Sequence, residues 1–164
     1  MNMQSHPINF ADPSLHTQGL YIGGKWEAGA GISVVDPFTG DVLGEVPDAS
    51  IEDALRAVDA AEAAAAGWRA TPPRQRSEIL RRWFHLMTQH AEELATLISL
   101  ENGKALPDAR GEVAYAAEFF RWYAEEATRI PGEHRTTPSG SHTILVDPEP
   151  IGISLLITPW NFPA

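Results

Sequence analysis

Cysteine is absent from this sequence of 164 residues. The chain therefore has no disulfide, no cysteine-based zinc site and no thiol nucleophile of its own. Long apolar runs are also missing, since none approaches the roughly 20 residues that cross a bilayer. Basic clusters are rare, and the densest is the pair Arg81-Arg82. With a net charge of −10, the chain is a poor partner for nucleic acid and for anionic membranes.

The first residues lack the features of a secretory signal. Residues 1–18 carry neither a basic segment nor an apolar run of the kind that a signal peptide needs. We therefore expect an N-terminal arm over residues 1–18 and a cytoplasmic protein. The rest has an ordinary globular composition, 43% hydrophobic and 21% charged, and is long enough for one domain.

A small antiparallel layer is predicted after the arm. Short β-type runs flank Gly23-Gly24, which is the pattern of a tight hairpin. A second pair of runs, 32–35 and 42–46, flanks a turn that contains Asp36 and Gly40. Both patterns indicate hairpins.

Three helices are predicted next. The first begins after Ser50, which with Asp53 three residues later forms a capping-box pattern. The second begins at Pro72-Pro73 and ends at Asn102-Gly103. The apolar face of the first is formed by Leu55, Val58, Ala61 and Ala65, and the second has a wide buried stripe formed by Ile79, Leu80, Trp83, Phe84 and Met87.

The third helix, predicted over about 111–129, has two apolar sides. One side is formed by Val113, Ala116, Ala117, Phe120, Ala124 and Ala127, and the other by Tyr115, Phe119 and Trp122. Two interpretations remain open. The aromatic stripe is part of a three-layer core, or it lines a ligand tunnel or a contact between subunits.

Extended structure returns towards the end of the sequence. Thr143–Val146 is predicted as a short strand, and the apolar run 153–157 is typical of a strand buried on both faces. Such strands belong to parallel sheets flanked by helices, so the fold class is α/β with an incomplete sheet. Ligands in these folds bind beyond the carboxyl ends of the strands, which makes 158–163 a candidate site.

The residue types of this loop favour a site. Pro159 and Pro163 stiffen the backbone, and the Asn161 amide is a neutral donor of the kind that stabilises a developing oxyanion. Trp160 and Phe162 supply flat apolar walls. The alternative is that Asn161 caps a following helix and that the aromatic side chains belong to the core.

Several segments together carry a family resemblance. They are "YIGGKW", "DPFTGDVLGEVP", "GEVAYAAEFFRWYAEEATRIPG" and "EPIGISLLITPWNFPA". In this order and spacing they resemble the aldehyde dehydrogenase superfamily, and "LRRWFHLM" resembles its succinate-semialdehyde dehydrogenase branch. The resemblance implies an incomplete, N-terminal part of that fold. Residues 19–135 would begin the cofactor-binding domain, 140–150 a segment bridging subunits, and 151–164 the first Rossmann-type strand with its loop.

The resemblance also implies roles for individual residues. Thr158, Pro159, Trp160 and Asn161 would bind NAD or NADP, with Thr158 and Trp160 acting largely through backbone groups. Asn161 would donate to the aldehyde oxygen as it becomes an oxyanion. An aldehyde tunnel would be lined by Phe162, Tyr115 and Phe119. No metal is implied, and a homo-oligomer, dimer or tetramer, is expected.

Family chemistry proceeds through a cysteine thiohemiacetal and a glutamate general base, which on this resemblance lie beyond the chain. The 164 residues would thus be roughly the first third of an enzyme and are predicted to be inactive alone, with succinate semialdehyde as the expected substrate. A naturally short, non-catalytic assembly partner that uses strand Thr143–Val146 is the alternative. Gly103-Lys104 is followed by Ala105 where similar enzymes often have proline, and Glu101 with Lys104 is predicted as an exposed ion pair.

Overall fold

The computed structural model describes residues 19–29 and 31–164, so the arm predicted at 1–18 lies outside the described residues. Strands and helices are numbered in chain order. They are β1 Leu20–Ile22, β2 Lys25–Glu27, β3 Gly31–Val35, β4 Val42–Pro47, α1 Ile51–Ala70, α2 Pro73–Gln89, α3 Ala91–Asn102, α4 Leu106–Glu126, β5 Glu133–Thr136 and β6 Thr143–Val146. None of these helices is both long enough and apolar enough to cross a membrane.

Both predicted hairpins are confirmed. β1 pairs antiparallel with β2, and the turn between them places Gly23 and Gly24 at φ 58° and 81°, which side chains rarely tolerate. β3 pairs antiparallel with β4, and the Asp36 carboxylate accepts from Phe38 N at 2.8 Å in the turn.

A third hairpin contains the predicted strand 143–146. β6 pairs antiparallel with β5, a strand that the sequence did not predict. The boundary predicted at residue 135 falls inside β5. The hairpin therefore spans the end of one predicted segment and the start of the next.

Helix α1 begins as predicted but is not buried. The Ser50 hydroxyl accepts from Asp53 N at 3.1 Å, and Asp53 Oδ2 accepts from Ser50 N at 2.9 Å, which completes the capping box. Leu55 is 59% exposed and Val58 49%. The predicted apolar face is thus uncovered, because the contacts of α1 with the short strands β1 and β2 are few.

The helix predicted from Pro72-Pro73 to Asn102 is two helices. The chain leaves helical geometry at His90, with φ −103° and ψ 22°, between α2 and α3. His90 Nδ1 lies 2.5 Å from Glu93 Oε2 in the first turn of α3. The predicted stripe is also only partly buried, since Ile79 is 43% and Trp83 54% exposed. Trp83 nevertheless stacks on Phe120 of α4, with ring centroids 5.5 Å apart, so the stripe packs on α4 while part of it stays exposed.

Helix α4 is the centre of the fold. It begins five residues before the predicted position 111, with Pro107 in its first turn, where a proline is well tolerated. It packs against both α2 and α3. Its predicted first face is confirmed, with Val113, Ala117 and Ala124 buried. The main apolar cluster joins α3 and α4 and consists of Ala95, Ile98, Ala109 and Val113.

The strand predicted at 153–157 is not formed. Residues 151–159 have no regular secondary structure, and Leu155, Leu156 and Ile157 are 84–86% exposed. A buried strand requires neighbouring strands that accept its backbone hydrogen bonds. No strand of the described residues pairs with this segment, so the first strand of the predicted parallel sheet is absent here.

Candidate functional site

The loop 158–163 lies against the connection between α3 and α4. Asn102, the last residue of α3, donates from Nδ2 to the backbone oxygen of Trp160 at 2.9 Å. Lys104 donates from Nζ to the backbone oxygen of Asn161 at 2.6 Å. The helices therefore hold the loop through its main-chain atoms, although the residues before it form no strand.

A buried carboxylate completes these contacts. Glu112, in the second turn of α4, is 4% exposed and forms an ion pair with Lys104. Its other carboxylate oxygen, Oε1, accepts from the backbone N–H of Ala164 at 2.9 Å. The Lys104–Glu112 pair thus contacts the loop on both sides of Phe162 and Pro163.

The geometry of the α3–α4 connection places Lys104. Gly103 ends α3 in the left-handed conformation, with φ 72°, and a Cβ at this position would lie 2.9 Å from Pro37 Cγ. The Ser99 hydroxyl donates to the backbone oxygen of Lys104 at 2.8 Å. A glycine is needed here both for the backbone angle and for the close approach of the β3–β4 turn.

Asn161 presents an unoccupied amide on this loop. Trp160 and Asn161 form a turn closed by Phe162 N donating to Pro159 O at 3.3 Å. Among the described residues the Asn161 side chain has no hydrogen-bond partner, and the residue is exposed. The amide is therefore available to an external acceptor. No described helix begins at Asn161, and the capping alternative stays a prediction.

The aromatic residues of the predicted tunnel fall into two places. Tyr115 and Phe119 meet edge to face, with ring centroids 4.9 Å apart, and line an open groove of about 300 Å³ with Trp122 and Tyr123. Phe162 is not among the residues that line this groove; its ring lies 4.5 Å from Lys104 Nζ. The structure therefore brings Tyr115 together with Phe119 but not with Phe162, and the tunnel role of all three stays a prediction.

The prediction that Lys104 pairs with Glu101 is wrong. Lys104 pairs with Glu112, and burial raises the pKa of Glu101, whereas a nearby ammonium would lower it. The sequence does carry a signal for Glu112. It lies between Ala109 and Val113 on the buried face of α4, and a carboxylate on such a face requires a partner.

The exposed groups of the loop define what it can bind. Thr158, Pro159, Trp160 and Asn161 are all exposed, and Trp160 is 82% accessible, so a flat ligand could stack on its ring. The described residues contain no group of three or more His, Asp or Glu side chains placed to hold a metal ion.

Comparisons with known proteins bear on this site. The sequence model of one protein family, the aldehyde dehydrogenase family, matches residues 26–164 of this chain. A succinate-semialdehyde dehydrogenase of Paenarthrobacter nicotinovorans is 53% identical over 122 residues, which cover 74% of this chain and 27% of that protein. A glutarate-semialdehyde dehydrogenase of Pseudomonas putida KT2440 is 44% identical over 160 residues, or 96% of this chain and 33% of the relative.

A solved structure shares the same arrangement. The crystal structure of an Escherichia coli NADP dependent enzyme matches with a TM-score of 0.91 at 42% identity, over 95% of this chain and 33% of that one. The described hairpins and helices are therefore those of a known fold. The chain spans about a third of the length of the proteins that it matches.

Proposed function

The chain belongs to the aldehyde dehydrogenase family, and we propose that it contributes the N-terminal part of an oxidoreductase that converts a semialdehyde to a carboxylic acid with NAD or NADP. Two relatives at 44% and 53% identity are named for glutarate and succinate semialdehyde. Succinate semialdehyde is the preferred substrate in this proposal, since the higher identity is with the succinate enzyme.

The exposed amide of Asn161 is the observation that carries the proposal. The backbone oxygen of Asn161 accepts a hydrogen bond from Lys104 Nζ at 2.6 Å, while the Asn161 side chain has no hydrogen-bond partner within the described residues. A donor that is held in place and left unpaired can stabilise negative charge on an aldehyde oxygen without reorganising during the reaction. Asn161 would thus bind and orient the aldehyde carbonyl.

A nicotinamide cofactor fits the exposed side of the same loop. The Trp160 ring is open to solvent, and the Thr158 hydroxyl has no hydrogen-bond partner within the described residues. Thr158, Pro159, Trp160 and Asn161 would hold the cofactor there, and the bound nicotinamide would supply the two-electron acceptor. An NADP dependent enzyme with the same fold supports this class of cofactor.

This chain positions groups and does not supply the nucleophile. It contains no cysteine, so the thiol implied by the family resemblance, like the general base, would come from residues outside it. The 164 residues by themselves are proposed to be inactive. We also propose that the complete enzyme is a homo-oligomer that assembles through the β5–β6 hairpin.

An assay of the complete enzyme tests the proposal. Succinate semialdehyde, glutarate semialdehyde and propanal would each be offered with NAD and with NADP, and reduced cofactor would be followed by absorbance. We expect oxidation of the semialdehydes, with the highest kcat/KM for succinate semialdehyde. Propanal is the control without a distal carboxylate. No formation of reduced cofactor with any aldehyde would refute the proposed function.

A non-catalytic assembly partner is the second candidate. One observation favours it: Leu145 on strand β6 is 76% exposed, so the hairpin offers an apolar edge to another chain. The nucleotide sequence after the Ala164 codon would separate the candidates. An open reading frame that continues into a cysteine-containing segment favours the enzyme, and a stop codon favours the assembly partner.

A further inference from the structure

A buried carboxylate and a partly buried ammonium contact the backbone of the candidate site. Glu112 is 4% exposed and the Lys104 side chain 17%. We propose that Lys104 and Glu112 are positioning residues, which hold the 158–163 loop, and with it the Asn161 amide, in one conformation. The catalytic consequence of this positioning rests on the proposed function.

The hydrogen bonds of the pair support positioning over a purely structural role. Removing two charges from water is costly, and an apolar pair of similar volume often serves stability as well or better. Here each charged group also contacts the loop. Lys104 Nζ donates to Asn161 O at 2.6 Å, and Glu112 Oε1 accepts from Ala164 N at 2.9 Å. The pair therefore fixes the backbone at Asn161 and again three residues later.

The contacts of Lys104 also fix the orientation of the loop. Its ammonium lies 4.5 Å from the centre of the Phe162 ring, in range of a cation–π interaction. The neighbouring Asn102 holds Trp160 O at 2.9 Å. Three consecutive loop residues, 160–162, are thus held from the α3–α4 connection. A catalytic donor needs this degree of constraint, because a displacement of about 1 Å can lower a rate by about 100-fold.

Glu112 limits what Lys104 can do at the site. The ammonium is neutralised by the adjacent carboxylate, and its contact with the loop is to a backbone oxygen. Lys104 therefore acts on the reaction through the position of Asn161 and is not itself a donor to the substrate. This distinction makes a specific prediction, that loss of the pair lowers kcat more than it raises KM.

The test uses the complete enzyme and measures the loop directly. Lys104→Met, Glu112→Gln and the double variant would be compared by hydrogen–deuterium exchange of a peptide that covers 158–164, without substrate or cofactor. We expect exchange in this peptide to be about 10–100-fold faster in each single variant, as the loss of charge-assisted hydrogen bonds predicts. Lys25→Met, on the exposed strand β2, is the matched control and should leave the peptide unchanged.

The kinetic measurement adds the catalytic consequence. For Lys104→Met and Glu112→Gln we expect kcat to fall about 10–100-fold, with a smaller change in the KM of the semialdehyde. The double variant should be no worse than the worse single one, since the two residues act as a unit. Lys104→Arg keeps a cation that can reach both partners and should restore part of the kcat, which a loss of folding would not allow.

The outcomes are distinct. Unchanged exchange of the 158–164 peptide in both single variants overturns the proposal, and so does faster exchange with an unchanged kcat. If the wild-type enzyme oxidises no aldehyde, the proposed function fails, and the exchange measurement alone decides whether the pair holds the loop. If Lys104→Met does not fold, Glu112→Gln tests the loss of the pair by itself, and unchanged exchange of the 158–164 peptide in that variant overturns the proposal.

Discussion

Two neighbouring stretches of the chain behave in opposite ways. Residues 151–157 are all exposed and have no regular secondary structure, with Leu155 and Leu156 84–85% accessible. Residues 158–164 follow directly and are held by Asn102, Lys104 and Glu112. The apolar stretch needs partner strands to be ordered, whereas the loop needs only polar side chains from helices that are already folded.

The difference concerns the kind of contact that each stretch requires. An apolar strand gains stability from burial on both faces and from a ladder of backbone hydrogen bonds. The loop gains it from a few charged and amide groups directed at its carbonyl oxygens. Docking of the candidate site is therefore a property of α3, α4 and their connection, and it does not depend on a sheet. Four measurements test this contrast.

The largest effect is expected at the loop itself. In the complete enzyme, Asn161→Ala should lower kcat by about 10²–10³, the loss measured for a single oxyanion donor. Binding of the cofactor should change less than kcat, because Thr158, Pro159 and Trp160, which are proposed to hold it together with Asn161, are unchanged. Steady-state kinetics and a cofactor titration would measure both. An unchanged kcat would remove Asn161 from the oxyanion role.

The second prediction compares a core residue with a residue of the unheld stretch. Ile98 is 7% exposed and Leu155 85%. In the 164-residue chain, Ile98→Ala should cost about 2–5 kcal/mol of unfolding free energy, and Leu155→Ala less than about 0.5 kcal/mol. Urea unfolding followed by circular dichroism would measure both.

The same substitution sharpens the contrast in the complete enzyme. If residues 153–157 become a buried strand there, Leu155→Ala should approach the cost of the Ile98 substitution. If Leu155→Ala costs equally little unfolding free energy in the short chain and in the complete enzyme, residues 153–157 stay outside the core in both, which contradicts the strand prediction.

The third prediction concerns the connection that holds the loop. Gly103→Ala places a side chain at φ 72° and within 2.9 Å of Pro37 Cγ, and should cost about 1–2 kcal/mol or more. Gly111→Ala, where a Cβ would meet nothing within 4 Å, is the matched control and should be neutral or slightly stabilising. Thermal unfolding distinguishes the two, and equal melting temperatures would contradict the role of Gly103.

The smallest effect is expected at an exposed ion cluster, which serves as a reference for the less exposed Lys104–Glu112 pair. The Arg56 guanidinium, together with Ser50, lowers the pKa of Asp53 to about 2. Because the folded-state pKa is below the ordinary value of 3.8, the contribution to stability is fully present above that value and is lost as the pH falls towards about 2.

A carboxyl NMR titration checks the pKa of Asp53. Melting temperatures measured from about pH 5 to about pH 2, a range that includes the ordinary pKa of an aspartate, check the link between this pKa and stability. Asp53→Asn should weaken the dependence of the melting temperature on pH. A titration of Asp53 near its ordinary pKa would show that the Arg56 contact contributes nothing in solution.

Local signals in the sequence predicted the parts of the fold that depend on neighbours along the chain. The Gly23-Gly24 turn, the Ser50 cap and the Gly103 stop each rely on interactions within a few residues, and all three are confirmed. The break at His90 was missed because apolar residues continue through it at helical spacing. The strand predicted at 153–157 is not formed in this structure, because a strand depends on partners that are distant in the sequence.

The candidate site was predicted by the composition of its loop but not by its supports. Pro159, Trp160 and Asn161 indicated a binding loop from the sequence. The sequence predicts an ion pair between Lys104 and Glu101, three residues away, because helical spacing can be read from a sequence. The contact between Lys104 and the distant residue 161 cannot be read in this way. Glu112 could have been suspected from its place on the buried face of α4.

The helices hold residues 160, 161 and 164 through main-chain atoms. Asn102, Lys104 and Glu112 contact the backbone oxygens of residues 160 and 161 and the backbone N–H of residue 164. Side chains on the loop can therefore diverge during evolution while the course of the main chain is retained.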